Sequence, residues 1–223
     1  MLLTLKHYAK NLIPDDLLFG QLVLRRSRAW REVGVIFVHV PKNGGTSINT
    51  ALYGQFMGHF RVRDIEGIRP NLLQQLPSFA LTRNPWARAY SAYSFARRSV
   101  AMADGVQIRY PNRYKVPEFS TFERFVLEWL PSRDLGREDY VFRSQAHYLL
   151  NREGEVGVRH LGRLEDPKSY IPILNENIGR IVDIGHLNRS TDAGQYRNKY
   201  TLEMRDALAK SYSIDIGLFN YDF

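Results

Sequence analysis

The residues best suited to chemistry stand in VIFVHVPKNGGTS, positions 35–47, where an apolar run opens directly into Lys42, Asn43, Gly44, Gly45, Thr46 and Ser47. The two glycines let backbone N–H groups approach an anion with no Cβ in the way. Thr46 and Ser47 fall where the next helix should begin, and the unpaired N–H groups and positive dipole end of a helix suit a phosphate or sulfate. Lys42 adds a mobile point charge. The same strand-Pro-Gly order also occurs in ordinary βα turns, and Gly-Gly alone is a weak signal. The nucleotide triphosphatase loop, G-x-x-x-x-G-K-[ST], carries its Lys after the last glycine. Here Lys42 precedes both glycines and Thr46 occupies the place of that Lys, which argues against an ordinary ATP or GTP site.

A second group follows in SFALTRNPWARAYSAYSFARR, positions 78–98. Arg83 ends the apolar run Phe79, Ala80, Leu81; Asn84 is a good N-cap, and Pro85 suits the first helical position. Ser91 lies two turns into the helix, where its hydroxyl can turn back toward an anion held by Arg83. Taken alone, Arg83 could equally pair with a carboxylate and Ser91 be a neutral surface residue.

Both groups need elements to carry them. The pattern predicts a strand over 34–40, a helix over 46–56, a short strand near 59–63, a helix over 69–76, a strand over 78–83 and a helix over 85–98. Helices near 120–130, 140–150 and 167–179 follow, with a strand over 156–165 between the last two, and TLEMRDALAKSYSIDIGLF reads as one closing helix with Leu202, Leu208, Tyr212 and Ile216 on its packed face. This alternation marks an α/β chain with a parallel central sheet flanked by helices. Ligands of such sheets sit beyond the carboxyl ends of the strands, so Lys42 and Arg83 are expected at one edge. Residues 99–118 read as a long loop, and Arg109, Arg113 and Lys115 within it, with Arg97 and Arg98 just before it, suit an acidic sugar, with Tyr110 and Tyr114 for stacking.

PKNGGTS followed by RNPWARAYSAY resembles the sulfotransferases that use 3′-phosphoadenosine 5′-phosphosulfate, particularly the carbohydrate branch that includes heparan sulfate 2-O-sulfotransferase and bacterial relatives. The likeness runs, more loosely, through FERFVLEWL, RSQAHYLL, VRHLGRLED, HLNRS and the LFNYDF tail, so it covers residues 34–223 and leaves 1–33 as an N-terminal extension of a single domain. It implies a P-loop-like sulfotransferase fold. It further implies that Lys42, Asn43, Gly44, Gly45, Thr46 and Ser47 grip the 5′-phosphosulfate and that Arg83 and Ser91 hold the 3′-phosphate. The loop corresponding to 186–200 closes over the nucleotide in the family, which brings Asn188, Arg189 and Ser190 to the 3′-phosphate or adenine side. Asn43 departs from the pattern, in which Thr is frequent at that place.

The implied chemistry needs a base for the acceptor hydroxyl and stabilisation of charge on the leaving phosphate. Lys42 supplies the second. Of six histidines, His59 is the chosen base, since it follows the first helix where the chain returns to the sheet, and related carbohydrate sulfotransferases place a catalytic His there. An imidazole titrating near its ordinary value of about 6.5 accepts a proton at neutral pH without tuning. His147, His39 and Glu165 are the alternatives. His39 is expected as a packed or hydrogen-bonded neighbour of the loop, while His7 and His186 read as peripheral. No pair has metal-ligand spacing with a supporting carboxylate, and the implied reaction needs no metal.

A formal net charge of +8 and a pI near 9.7 favour a phosphate-rich cofactor, an acidic sugar, nucleic acid or a membrane surface alike. Among these the resemblance implies a carbohydrate or glycolipid acceptor, expected to be anionic, with no nucleic acid expected and peripheral membrane contact left open. The chain has no Cys, which excludes disulfides and thiolate metal sites. No stretch approaches the roughly 20 apolar residues of a membrane span, and charged residues break up the first thirty positions, so a bacterial cytoplasmic enzyme or a trimmed chain is expected. Two other readings stay open: a P-loop phosphotransferase, and a non-catalytic basic module that binds acidic glycan or nucleic acid.

Overall fold

The computed structural model of the chain describes residues 15–101, 108–182, 184 and 195–223. Their architecture is α/β, with a small parallel sheet of β1 (Ile36–Val38), β2 (Ser78–Thr82) and β3 (His160–Arg163) in the order β1-β2-β3. Phe37 pairs with Phe79, and Ala80 pairs with Val38 on one side and Leu161 on the other. Every residue of β1 and β2 is buried, as the continuous apolar runs require of strands covered on both faces.

Side-chain alternation sorts the strands into two cores. Val35, Phe37, Phe79 and Leu81 pack with Ile48 and Leu52 of α2 (Gly45–Tyr53) and with Tyr170 and Leu174 at α8 (Ile171–Ile178). Ile36, Val38 and Ala80 pack on the opposite face with Val23 and Trp30 of α1 (Asp15–Val33) and with Val62 and Ile65 of α3 (Val62–Ile68). Leu72 of α4 (Leu72–Gln75) and Tyr148 and Leu149 of α7 (Ala146–Leu149) complete that layer. Val23 and Trp30 are fully buried, so α1 belongs to the core, and each such side chain contributes about 1.5–3 kcal/mol by its burial. A third, aromatic core lies beside the sheet, where α5 (Pro85–Ala101) sets Tyr93 against Phe119, Phe125, Trp129 and Phe142. The outer edge of β1 is closed by one side chain: the Tyr53 hydroxyl accepts from Phe37 N–H and donates to Val35 O, both at 2.9 Å, which satisfies backbone groups an open edge would expose.

Several expected boundaries move. Residues 59–63 form no strand; α3 starts at Val62, where the Asp64 carboxylate accepts both the backbone N–H and the guanidinium of Arg61. The segment near 120–130 is α6 (Phe122–Arg124) continued by a π-helical turn, Phe125–Trp129, and a 3-10 turn. The closing helix is two, α9 (Leu202–Ser211) and α10 (Ser213–Phe219), broken at Tyr212, and Leu202 is exposed while Met204 takes its place in the core. Only Ala146–Leu149 of 140–150 is α-helical. Among the described residues no helix is long and apolar enough to cross a membrane.

Candidate active site

The Lys42 turn is built by local rules. Asn43 N–H donates to Val40 O at 3.3 Å, closing a turn with Pro41 at its second position and Lys42 at its third. Lys42 has φ of 69°, the value a type II turn asks of its third residue and normally obtains from glycine. A non-glycine residue held there costs on the order of 1–2 kcal/mol. Gly44 follows with φ of 71° and precedes α2 with no side-chain hydrogen bond capping the helix start, which leaves first-turn N–H groups without a side-chain acceptor, as an anion site requires. Gly45 is irreplaceable for another reason, since a Cβ there would lie 2.2 Å from Cδ2 of His39.

The second segment meets the first. The Asn84 side chain accepts from Trp86 N–H at 3.1 Å and Ala87 N–H at 3.3 Å, the N-cap read from the sequence. That leaves Arg83 at the end of β2, where its Nη1 donates to Lys42 O at 3.0 Å. Arg88, 1% exposed, reaches back from α5 and donates through Nε to Pro41 O at 3.1 Å. The Lys42 ammonium lies over the Phe95 ring, 4.3 Å from its centroid. Burial, and then the charges of Arg98, Arg83 and Arg88, push its pKa down to about 8. The charges that lower Lys42 are cationic, and a positive field beside a helix start that no side chain caps fits a phosphate-bearing ligand.

His59 stands within the same field. Its Nδ1–H donates to His39 O at 2.9 Å; because a carbonyl only accepts, Nε2 carries the lone pair. The ring lies 4.3 Å from that of His39, stacks on Tyr140 at 5.1 Å and meets Phe56 edge-on at 5.2 Å. Burial, with the charges of Lys42 and Arg88 added, drives its pKa down to about 4, against the opposing bond to His39 O. The expectation of an untuned imidazole is thereby corrected: His59 is neutral at pH 7, but it is a weaker base than an ordinary histidine. His39 is buried, and its Nδ1 meets Asn49 Nδ2 at 2.8 Å.

Thr46 is exposed, and Ser47, Arg83 and Ser91 are partly so, around the Lys42 turn and α5. Asn43, expected to contact cofactor, is turned inward at 1% exposure. Its Nδ2 donates to Leu81 O and to Gln145 Oε1, each at 2.7 Å, because a buried amide must find partners. Asn188, Arg189 and Ser190 lie outside the described residues. His147 lines a cavity of about 290 Å³ with Arg133, Ser144 and Tyr212, and that lining includes none of Lys42, Arg83 or His59. Glu165 is engaged elsewhere, accepting from Asn84 N–H at 2.7 Å. Tyr114 is buried, its hydroxyl donating to Asp139 at 2.9 Å, and is not available for stacking. Sequence reasoning missed Arg88, Asn49, Phe56 and Tyr140. Arg88 had a signal, being a cation one turn into a helix that starts at the site.

No protein-family model, curated protein or solved structure matches this chain.

Proposed function

We propose that this chain is a sulfotransferase of P-loop-like fold that moves a sulfuryl group from 3′-phosphoadenosine 5′-phosphosulfate to a hydroxyl of a carbohydrate or glycolipid. The observation that carries this reading is the joining of the two motifs at one end of the parallel sheet, where the Arg83 guanidinium donates to the carbonyl of Lys42. Lys42 and the first N–H groups of α2 form the 5′ end of the donor site, and Arg83 with Ser91 forms the 3′ end. The donor brings a sulfur bonded to a phosphate that is a good leaving group. His59 Nε2 takes the proton of the acceptor hydroxyl. Lys42 balances the charge left on the bridging phosphate oxygen once the sulfuryl group has passed to the acceptor oxygen, an electrostatic role suited to a partly buried ammonium. Phe56, 49% exposed beside His59, offers an apolar face to a sugar ring.

The experiment is incubation of the protein with labelled donor and a panel of neutral and acidic glycans and glycolipids, read by mass spectrometry. A sulfated product made by the native chain and not by Lys42→Ala supports the reading. Equal labelling by both contradicts the role given to Lys42, and no product from any acceptor with donor left intact contradicts the activity.

A further inference from the structure

We infer that Gln145 is the positioning residue that locks the two anion-binding segments, the Lys42 turn and Arg83, into one spatial relation, so that both ends of a bisphosphate nucleotide are recognised as a unit. The inference rests on the donor site proposed above, and it concerns a residue that touches neither phosphate.

The Gln145 side chain behaves as an added strand residue at the end of β2. Its Oε1 accepts from Arg83 N–H at 2.8 Å and its Nε2 donates to Arg83 O at 2.8 Å, a two-point pairing of one amide with the main chain of one residue. The same Oε1 accepts from Asn43 Nδ2 at 2.7 Å, and Asn43 also reaches Leu81 O. One side chain therefore joins the turn to the strand end from which Arg83 projects. The tie is anchored from behind: the Asp215 carboxylate accepts from Gln145 N–H at 2.8 Å and from Ala146 N–H at 2.9 Å. Gln145 and Asp215 are fully buried and Asn43 is nearly so. Bonds of this kind cannot be exchanged for water, and removing one partner strands the others in a low-dielectric interior. The network thus holds a geometry rather than a surface preference.

A consequence separates this role from ordinary packing. A ligand that touches one segment is indifferent to the relation between the two; a ligand that bridges them is not, and misplacement by about 1 Å can cost about 100-fold. Gln145→Met keeps the length and volume of the side chain and removes the three hydrogen bonds to Arg83 and Asn43. Calorimetric affinities for adenosine 3′,5′-bisphosphate and adenosine 5′-phosphate are compared in the native chain, Gln145→Met, Asn43→Ala and the double variant. The bisphosphate should weaken by about tenfold or more in Gln145→Met while the monophosphate changes by less than about threefold. The double variant should lose little beyond Gln145→Met alone, as members of one network do. If Gln145→Met does not fold, Asn43→Ala reads the same tie. An unchanged affinity ratio in a variant whose melting temperature has fallen overturns the inference, since that is the mark of a packing role. A native chain that binds both nucleotides equally overturns the donor site instead. The tie is then judged by amide hydrogen exchange at Arg83 and Asn43, where protection unaltered in both variants overturns it and protection lost at both supports it.

Discussion

The Nδ1–H of His59 donates to the main-chain carbonyl of His39, the residue two before the Pro41-Lys42 turn begins to bend away from β1. This bond fixes the tautomer and turns Nε2 into the proton acceptor. His59→Ala should therefore keep near-native affinity for adenosine 3′,5′-bisphosphate and lose about 10²–10⁴-fold in transfer rate. With the imidazole held down to about 4, turnover in the native chain should stay level as pH falls through 6.5, the ordinary imidazole value, and decline only at more acid pH. A limb centred at 6.5 would contradict the burial of His59, and full activity in His59→Ala would exclude it as the base.

Lys42 titrates at about 8 because it is buried among cations. Above that pH the free site loses a positive charge, so affinity for adenosine 3′,5′-bisphosphate should fall between about pH 8 and 10 more steeply than the ligand's own ionisation explains. Lys42→Arg keeps its charge throughout this range and should flatten the profile, while Lys42→Ala should bind weakly at every pH. Titration calorimetry across pH in the three proteins checks this; parallel profiles for Lys and Arg would contradict it.

Three histidines make the fold sensitive to acid. His39, His59 and His147 all have pKa values pushed down chiefly by burial. The unfolded chain, in which each returns to about 6.5, binds protons that the folded chain refuses. Their contribution to stability is complete above pH 6.5 and is lost as pH falls toward 4. Asp139 and Asp215, raised by burial, act in the opposite sense and blunt the loss. Urea unfolding at pH 7, 5.5 and 4.5 should show a falling midpoint, with the fall reduced in His147→Gln. An identical fall in that variant would mean that His147 takes no part.

What was legible in the sequence was local. The runs around Ile36 and Phe79, the Asn84 cap and the Gly44-Gly45 bend each announce themselves within a few residues, and the rule for parallel sheets then brings Lys42 to Arg83. What was hidden depends on partners far along the chain. Asn43 is a loop residue by its neighbours but a core residue because Gln145 and Leu81 wait for its amide. His59 looks untuned in the sequence because nothing there reveals that Tyr140 and His39, 81 and 20 positions away, close over it together with Phe56. The sequence suggests a short strand near 59–63, whereas the Asp64 carboxylate on Arg61 starts a helix at Val62. The closing helix breaks at Tyr212, whose hydroxyl donates to Phe142 O at 2.8 Å, a partner no periodicity could disclose.

The most direct measurement of the central claim is a pair of thermal melts, with adenosine 3′,5′-bisphosphate and with adenosine 5′-phosphate, on the native chain and on Arg83→Ala. It needs no acceptor. A ligand at about 100 times its dissociation constant stabilises the folded state by about 2.7 kcal/mol. The native chain should be stabilised strongly by the bisphosphate and much less by the monophosphate at the same concentration, and Arg83→Ala should erase the difference. Equal shifts from the two nucleotides in the native chain, or an undiminished difference in Arg83→Ala, would contradict the account.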